Sequence, residues 1–132
     1  GRKQPQEDLI DDITYLPYMT WREWIKECSK YKVGVHMMRT HAAGTFSLNL
    51  SYHATPCIGY ENLDTQDLLH PQTTVEVGDI KGASTILKRL YEDEGFYQEC
   101  SEQTKELYNK YYTEEAWLED FKKKNKEFRN ME

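Results

Sequence analysis

The sequence predicts an α/β protein: a parallel sheet flanked by helices, with C-terminal helices packing back over it. Three features carry that prediction. Short strand-like runs alternate with amphipathic helical segments through the first 93 residues, the order that yields strand–helix–strand crossovers. The runs Val33–Met38 and Pro56–Tyr60 are apolar with little polar alternation, as strands covered on both faces are. Beyond Asp93 the apolar residues fall at helical spacing only.

In chain order, Ile13-Thr14-Tyr15-Leu16 alternates and stops at Pro17, which reads as a short strand. Thr20 and Glu23 form a capping-box pattern: the hydroxyl serves unpaired N–H groups while the carboxylate reaches back. Trp21, Trp24, Ile25 and Cys28 follow at helical spacing, predicting a helix over 20–30. Val33–Met38 is the next strand, and Gly44 opens a helix that carries Phe46, Leu48, Leu50 and Tyr52 to His53. Pro56–Tyr60 is a strand with proline at its first residue, where no ladder donor is needed. A polar connection with a helical turn at Thr65–Leu69 leads to a strand at Thr73–Val77. Asp79 caps a helix with Ile80, Ala83, Ile86, Leu87 and Leu90 on one face. Phe96–Tyr112 is helical, and Thr113 caps a last helix with Trp117, Leu118, Phe121 and Phe128, of which Trp117, Phe121 and Phe128 are expected in the core.

A length of 132 residues fits one domain, 11–132, behind a polar start at 1–10 that reads as disordered or cloning-derived. The balance of 17 basic against 23 acidic residues gives −6, the wrong sign for tracking a nucleic-acid backbone, so no nucleic-acid partner is expected. Aromatic residues at 13% argue for a folded chain rather than an acidic disordered one. No apolar run is long enough to span a membrane. Cys28, Cys57 and Cys100 are odd in number and far apart; they read as reduced thiols of a cytoplasmic protein. His36, His41, His53 and Cys57 lack the close pairs of a zinc site, so no metal is expected. No Gly-x-Ser-x-Gly setting anchors a hydrolytic triad. The Lys122–Lys126 run reads as a solvated face that compensates the helix dipole, and it leaves open a peripheral contact with an anionic membrane surface.

Open parallel sheets bind ligands beyond the carboxyl ends of their strands. The junctions Pro17–Thr20, Arg39–Thr45 and Gly59–Asp64 supply that lip. In the second, Gly44 and Thr45 open a helix whose free N–H groups and dipole would favour an anion, and Arg39 could clamp a phosphate with two hydrogen bonds. An ordinary strand–helix turn with a sterically convenient glycine and an exposed arginine would read the same way.

The order of parts adds to this reading. It runs through Trp21–Tyr31, Val33–Met38, His41-Ala42-Ala43-Gly44-Thr45-Phe46, Asn49–Ile58, Val75-Glu76-Val77-Gly78-Asp79, Ala83–Asp93 and Tyr112–Phe121. As an ordered pattern, residues 13–128 resemble the C-terminal, donor-binding half of GT-B-fold glycosyltransferases, a Rossmann-like unit. The resemblance implies a metal-independent transferase without a cofactor. Its substrate would be a nucleoside-diphosphate sugar, and the acceptor a polysaccharide, lipid or protein. In many retaining members one glutamate lies near the donor sugar and a second contacts the ribose. Counted back from Ala54-Thr55-Pro56, their places fall on His41 and Asn49. His41 could donate to a sugar hydroxyl or phosphate, and the Asn49 amide to a ribose, with weaker neutral bonds. Tyr18 lies in the loop where the family seats its base. The resemblance implies a fragment at the cytoplasmic face of the membrane, lacking the N-terminal acceptor domain and inactive alone; it assigns no catalytic residue. The alternative is a non-catalytic α/β binding or regulatory module that keeps the scaffold without the chemistry.

Overall fold

The computed structural model describes residues 13–37, 39 and 45–130. Helix α1 (Trp21–Cys28) starts as its capping pattern predicts: the Glu23 N–H donates to Thr20 Oγ1 (3.3 Å) and the Thr20 N–H to Glu23 Oε2 (3.0 Å). Three strands follow, β1 (Gly34–His36), β2 (Cys57–Tyr60) and β3 (Thr74–Val75), parallel throughout in the order β1-β2-β3. Between them run α2 (Thr45–Tyr52) and α3 (Asp64–Leu69); α4 (Ile80–Glu92), α5 (Glu94–Tyr111) and α6 (Glu114–Asn130) complete the chain. The protein is therefore α/β, predominantly helical, on a small open parallel sheet.

Side chains of β2 alternate between two helical layers, as a period of two requires. Ile58 and Tyr60 join Val75, Ala83, Leu90, Phe96 and Cys100 on the α4 side. Cys57 joins Cys28 and Leu50, with Trp24 and Phe46 against them, on the α1–α2 side. Helix α2 sits so close to β1 that a Cβ on Gly34 would lie 2.1 Å from Leu50 Cδ1, so only glycine fits there. Val35, on β1, one of the two edge strands among the described residues, is half open to solvent.

The expected strand at Ile13–Leu16 does not form: residues 13–20 carry neither helix nor strand. A four-residue strand needs a neighbour to take its N–H and C=O groups, and none of the three strands pairs with it. The C-terminal helices also depart from expectation. Instead of lying over a sheet face, α5 passes beneath the amino-terminal edge of all three strands. Tyr97 donates to Lys32 O ahead of β1 (2.8 Å), Ser101 to Ala54 O ahead of β2 (2.6 Å), and Gln72, ahead of β3, to Gln103 (2.9 Å). Helix α6 packs mainly against α5, and no residue from Glu114 to Lys126 is buried. Trp117 (60% exposed) and Phe121 (55%) are thus surface residues rather than core. Their spacing marks an apolar stripe but does not say what the stripe faces.

All three cysteines are free and buried. Loss of water pushes Cys57 up to about 12 and Cys100 up to about 11, and raises Cys28. An aromatic disulfide reagent at pH 8 should therefore leave all three unmodified on the timescale of a free thiol, then titrate three equivalents once urea unfolds the chain. Rapid modification of any of them in the native protein would contradict this packing.

Candidate functional site

The carboxyl edge of the sheet lies opposite α5. Arg39, just past β1, extends across this edge: its guanidinium carbon stands 5.8 Å from the centre of the Tyr60 ring at the end of β2. A Cβ on Gly78, which turns the chain after β3 with φ +90°, would lie 3.7 Å from Arg39 Nη2. Arg39 thus spans all three strand ends. Among the described residues no carboxylate stands within 4.0 Å of its guanidinium, although Glu61, Asp64, Asp67, Glu76 and Asp79 follow β2 and β3. Two of those carboxylates serve backbone donors: Asp79 caps α4 through the Gly82 N–H (2.8 Å), and Asp67 accepts from the Asn62 N–H (2.9 Å).

Every described α-helix except α2 brings a carboxylate to its own start, in the first turn or at the cap. The first turn of α2 has none, and the residue before Thr45 is a glycine. The positive end of that helix dipole therefore has no counter-charge in its own first turn. Thr45 is exposed at this end. Asn49 is one turn on along the same face, half-buried, and opens into a cleft of about 360 Å³ that it shares with Trp21, Ile25, Leu48, Tyr52 and Tyr108. Tyr18 is 77% exposed on the segment before α1. His41 and Gly44 lie outside the described residues. The structure thus brings Arg39 to the strand ends and Thr45 to a helix start, one turn before Asn49, which opens into the α1–α2–α5 cleft.

No protein-family model, curated protein or solved structure matches this chain.

A buried polar network seats α2, and the sequence reading passed over it. His70 Nδ1 accepts the Cys57 N–H (3.2 Å), which leaves the proton on Nε2 to donate to Ser47 O in α2 (2.9 Å). Gln66 spends both amide protons, on Cys57 O (2.8 Å) and Thr74 Oγ1 (3.0 Å), while its oxygen accepts from Ser47 Oγ (3.4 Å). Thr104 Oγ1 closes the network, 2.9 Å from Ser51 Oγ and 3.2 Å from His70 Nδ1. Glycine at 59 makes room for it, since a Cβ there would meet Gln66 at 2.7 Å. Burial drives His70 down to about 4, so it is neutral at physiological pH. Its partners are all fixed dipoles, and its role is to hold the start of α2 against β2. The signal was present in the sequence: Gln66 and His70 are one helical turn apart, followed by Thr73 and Thr74, a polar cluster between two strands.

Among the described residues no three His, Cys, Asp or Glu side chains converge to hold a metal ion, and no helix is long and apolar enough to cross a membrane.

Proposed function

We propose that this chain is the donor-binding part of a GT-B-type glycosyltransferase, a Rossmann-like unit that holds the diphosphate of a nucleotide sugar at the carboxyl edge of its sheet. The observation that carries the reading is the start of α2, the one described helix start without a carboxylate, on the same edge as Arg39, which has no carboxylate within 4.0 Å among the described residues. A helix dipole and a guanidinium together suit a dianionic diphosphate, and pre-organised donors of this kind stabilise a departing diphosphate without a metal. Arg39 would clamp the phosphates, with Gly44, Thr45 and His41 cradling them. Asn49 would contact the ribose and Tyr18 the base. A separate N-terminal acceptor domain would complete the cleft, since transfer requires both reactants held together and water excluded.

A second reading is favoured by one specific feature: His41 and Asn49 stand where the resemblance would place carboxylates. A non-catalytic nucleotide-binding or regulatory module on the same scaffold would need neither.

Calorimetric titration with UDP, GDP and UDP-sugars tests the first reading. Binding should appear, and Arg39→Ala should weaken it about tenfold or more, the worth of a charge-assisted bidentate contact. Asn49→Ala should cost less, as befits a neutral hydrogen bond. If the folded chain takes up no nucleotide at millimolar concentration, or if Arg39→Ala binds as well as the wild type, the donor-site reading falls.

A further inference from the structure

The cleft between α1, α2 and α5, at about 360 Å³, has the size of a small-molecule site. Of the six side chains that line it, Trp21, Tyr52 and Tyr108 are aromatic, Ile25 and Leu48 are aliphatic, and Asn49 supplies an amide. Two of the aromatic walls stand open, Trp21 at 69% exposed and Tyr52 at 50%. The tyrosine rings are held in place before any ligand arrives. Tyr52 and Tyr108 meet edge to face, with ring centres 5.5 Å apart and planes at 69°. Tyr52 also meets the His53 ring at 4.9 Å, and His53 is tied to α1 by donating from Nε2 to Ile25 O (2.9 Å). Lys105 donates to Tyr52 O (2.7 Å) and sets its ammonium 4.6 Å and 5.1 Å from the centres of the Tyr52 and Tyr108 rings. An aromatic corner ordered in advance costs a ligand little on binding.

Charge and shape narrow what the corner takes. None of the six lining side chains is ionised, so an anion finds no counter-charge among them. A cation, which a cage of aromatic rings would otherwise attract, meets the Lys105 ammonium already over both tyrosines. A flat heterocycle would find no parallel-walled slot between Tyr52 and Tyr108, because those rings stand at 69°. A saturated sugar ring suits the corner better. Its C–H faces lie against aromatic carbon, and its hydroxyls both donate and accept, as the amide of Asn49 does. We propose that this cleft binds a neutral pyranose unit of an oligosaccharide, seated on Trp21 and the Tyr52–Tyr108 corner with Asn49 holding its hydroxyls. The proposal does not rest on the donor-site reading: Asn49 is the one residue the two share, and Arg39 has no part in the cleft. With an open wall and a single amide, the site is weak, with a dissociation constant in the millimolar range.

Nuclear magnetic resonance of the isotope-labelled full chain, titrated with cellotetraose, xylotetraose, maltotetraose and chitotetraose to about 10 mM, tests this range. The chain has tryptophans at 21, 24 and 117, and only Trp21 lines this cleft. At least one tetrasaccharide should shift the Trp21 indole N–H and the Asn49 side-chain amide while leaving the Trp117 indole in place. Trp21→Ala and, independently, Tyr52→Ala should each weaken that binding about tenfold or more, read at the Asn49 amide. Circular dichroism should not change, since neither residue belongs to a core cluster. Arg39→Ala should leave saccharide binding as it is, so a failure of nucleotide binding and a failure of this site are told apart. If no tetrasaccharide moves the Trp21 signal, or if both alanine variants bind as the wild type does, the proposal is overturned. It is overturned too if adenine or tetramethylammonium moves that signal and the saccharides do not, which would give the cleft to a flat heterocycle or a cation.

Discussion

Gly34→Val should abolish the folded state or leave it barely populated at 25 °C. Even the first added carbon would lie 2.1 Å from Leu50 Cδ1 and 3.2 Å from the Phe46 ring. Leu50 is 2% exposed, so it has no free space into which to retreat. Either α2 lifts from the sheet or the strand moves off α2, and both separate Leu50 and Phe46 from Cys28 and Cys57. Overpacking typically costs about 1–3 kcal/mol, and with Leu50 buried and the Phe46 ring beside it the upper end of that range is expected from Gly34→Ala alone. Against a total stability of about 5–15 kcal/mol, the two extra methyls of valine take most of what remains. Urea unfolding of Gly34→Ala, Leu50→Ala and the double variant gives the decisive measurement. Leu50→Ala removes the atom that clashes, so the double variant should lose less than the two single losses added together. Additive losses would mean that the close approach of α2 to β1 is not what makes glycine necessary.

Acid should destabilise the fold in a window set by His70. With its folded value at about 4 and an unfolded value near 6.5, the unfolded chain binds the extra proton first as pH falls. The neutral imidazole therefore contributes fully above about pH 6.5; its contribution drains away down to about pH 4 and changes little below. The whole step amounts to about 3 kcal/mol, at about 1.4 kcal/mol for each unit of difference. His36, also lowered by burial, acts in the same direction. Glu27, exposed and lowered chiefly by its hydrogen bond from Lys30, adds a loss of the same sign, but around and below the ordinary carboxylate range. Urea midpoints measured from pH 7 to pH 4 should fall steadily. In a His70→Gln variant, less stable at neutral pH, the slope over that interval should flatten. An unchanged slope would show that His70 does not titrate as its burial demands.

Local signals were legible to the extent that local physics decides them. The Thr20–Glu23 box, the Asp79 cap and the Thr113 cap all appear at their expected places, because a cap is an agreement among neighbours in sequence. The strands β1, β2 and β3 fall within their apolar runs and pair in parallel as the alternation requires, although β3 shrinks to two residues. Partnership was not legible. Ile13–Leu16 has the alternation of a strand but joins none of the three described strands, and Trp117 and Phe121 have the spacing of core residues without a core. Periodicity reports a face and leaves its occupant unstated. The lip was legible as a location, since Arg39 does stand at the strand ends. The His70–Gln66 network was not, because its members come from α3, the turn after it, α2 and α5, and only the tertiary fold collects them.

The position of α5 also bears on when the sheet can be completed during synthesis. The strands enter from Lys32, Ala54 and Gln72, and the helix that ties those three entry points together is made last among them. Tyr97 emerges 65 residues after the Lys32 carbonyl it binds, a delay of ~3–13 s at ordinary translation rates. Through that interval the nascent chain holds Ile58, Val75 and Leu90 without Phe96 and Cys100 to cover them. Assembly of this sheet on the ribosome is therefore postponed until α5 has emerged, and chaperone protection matters most before it arrives.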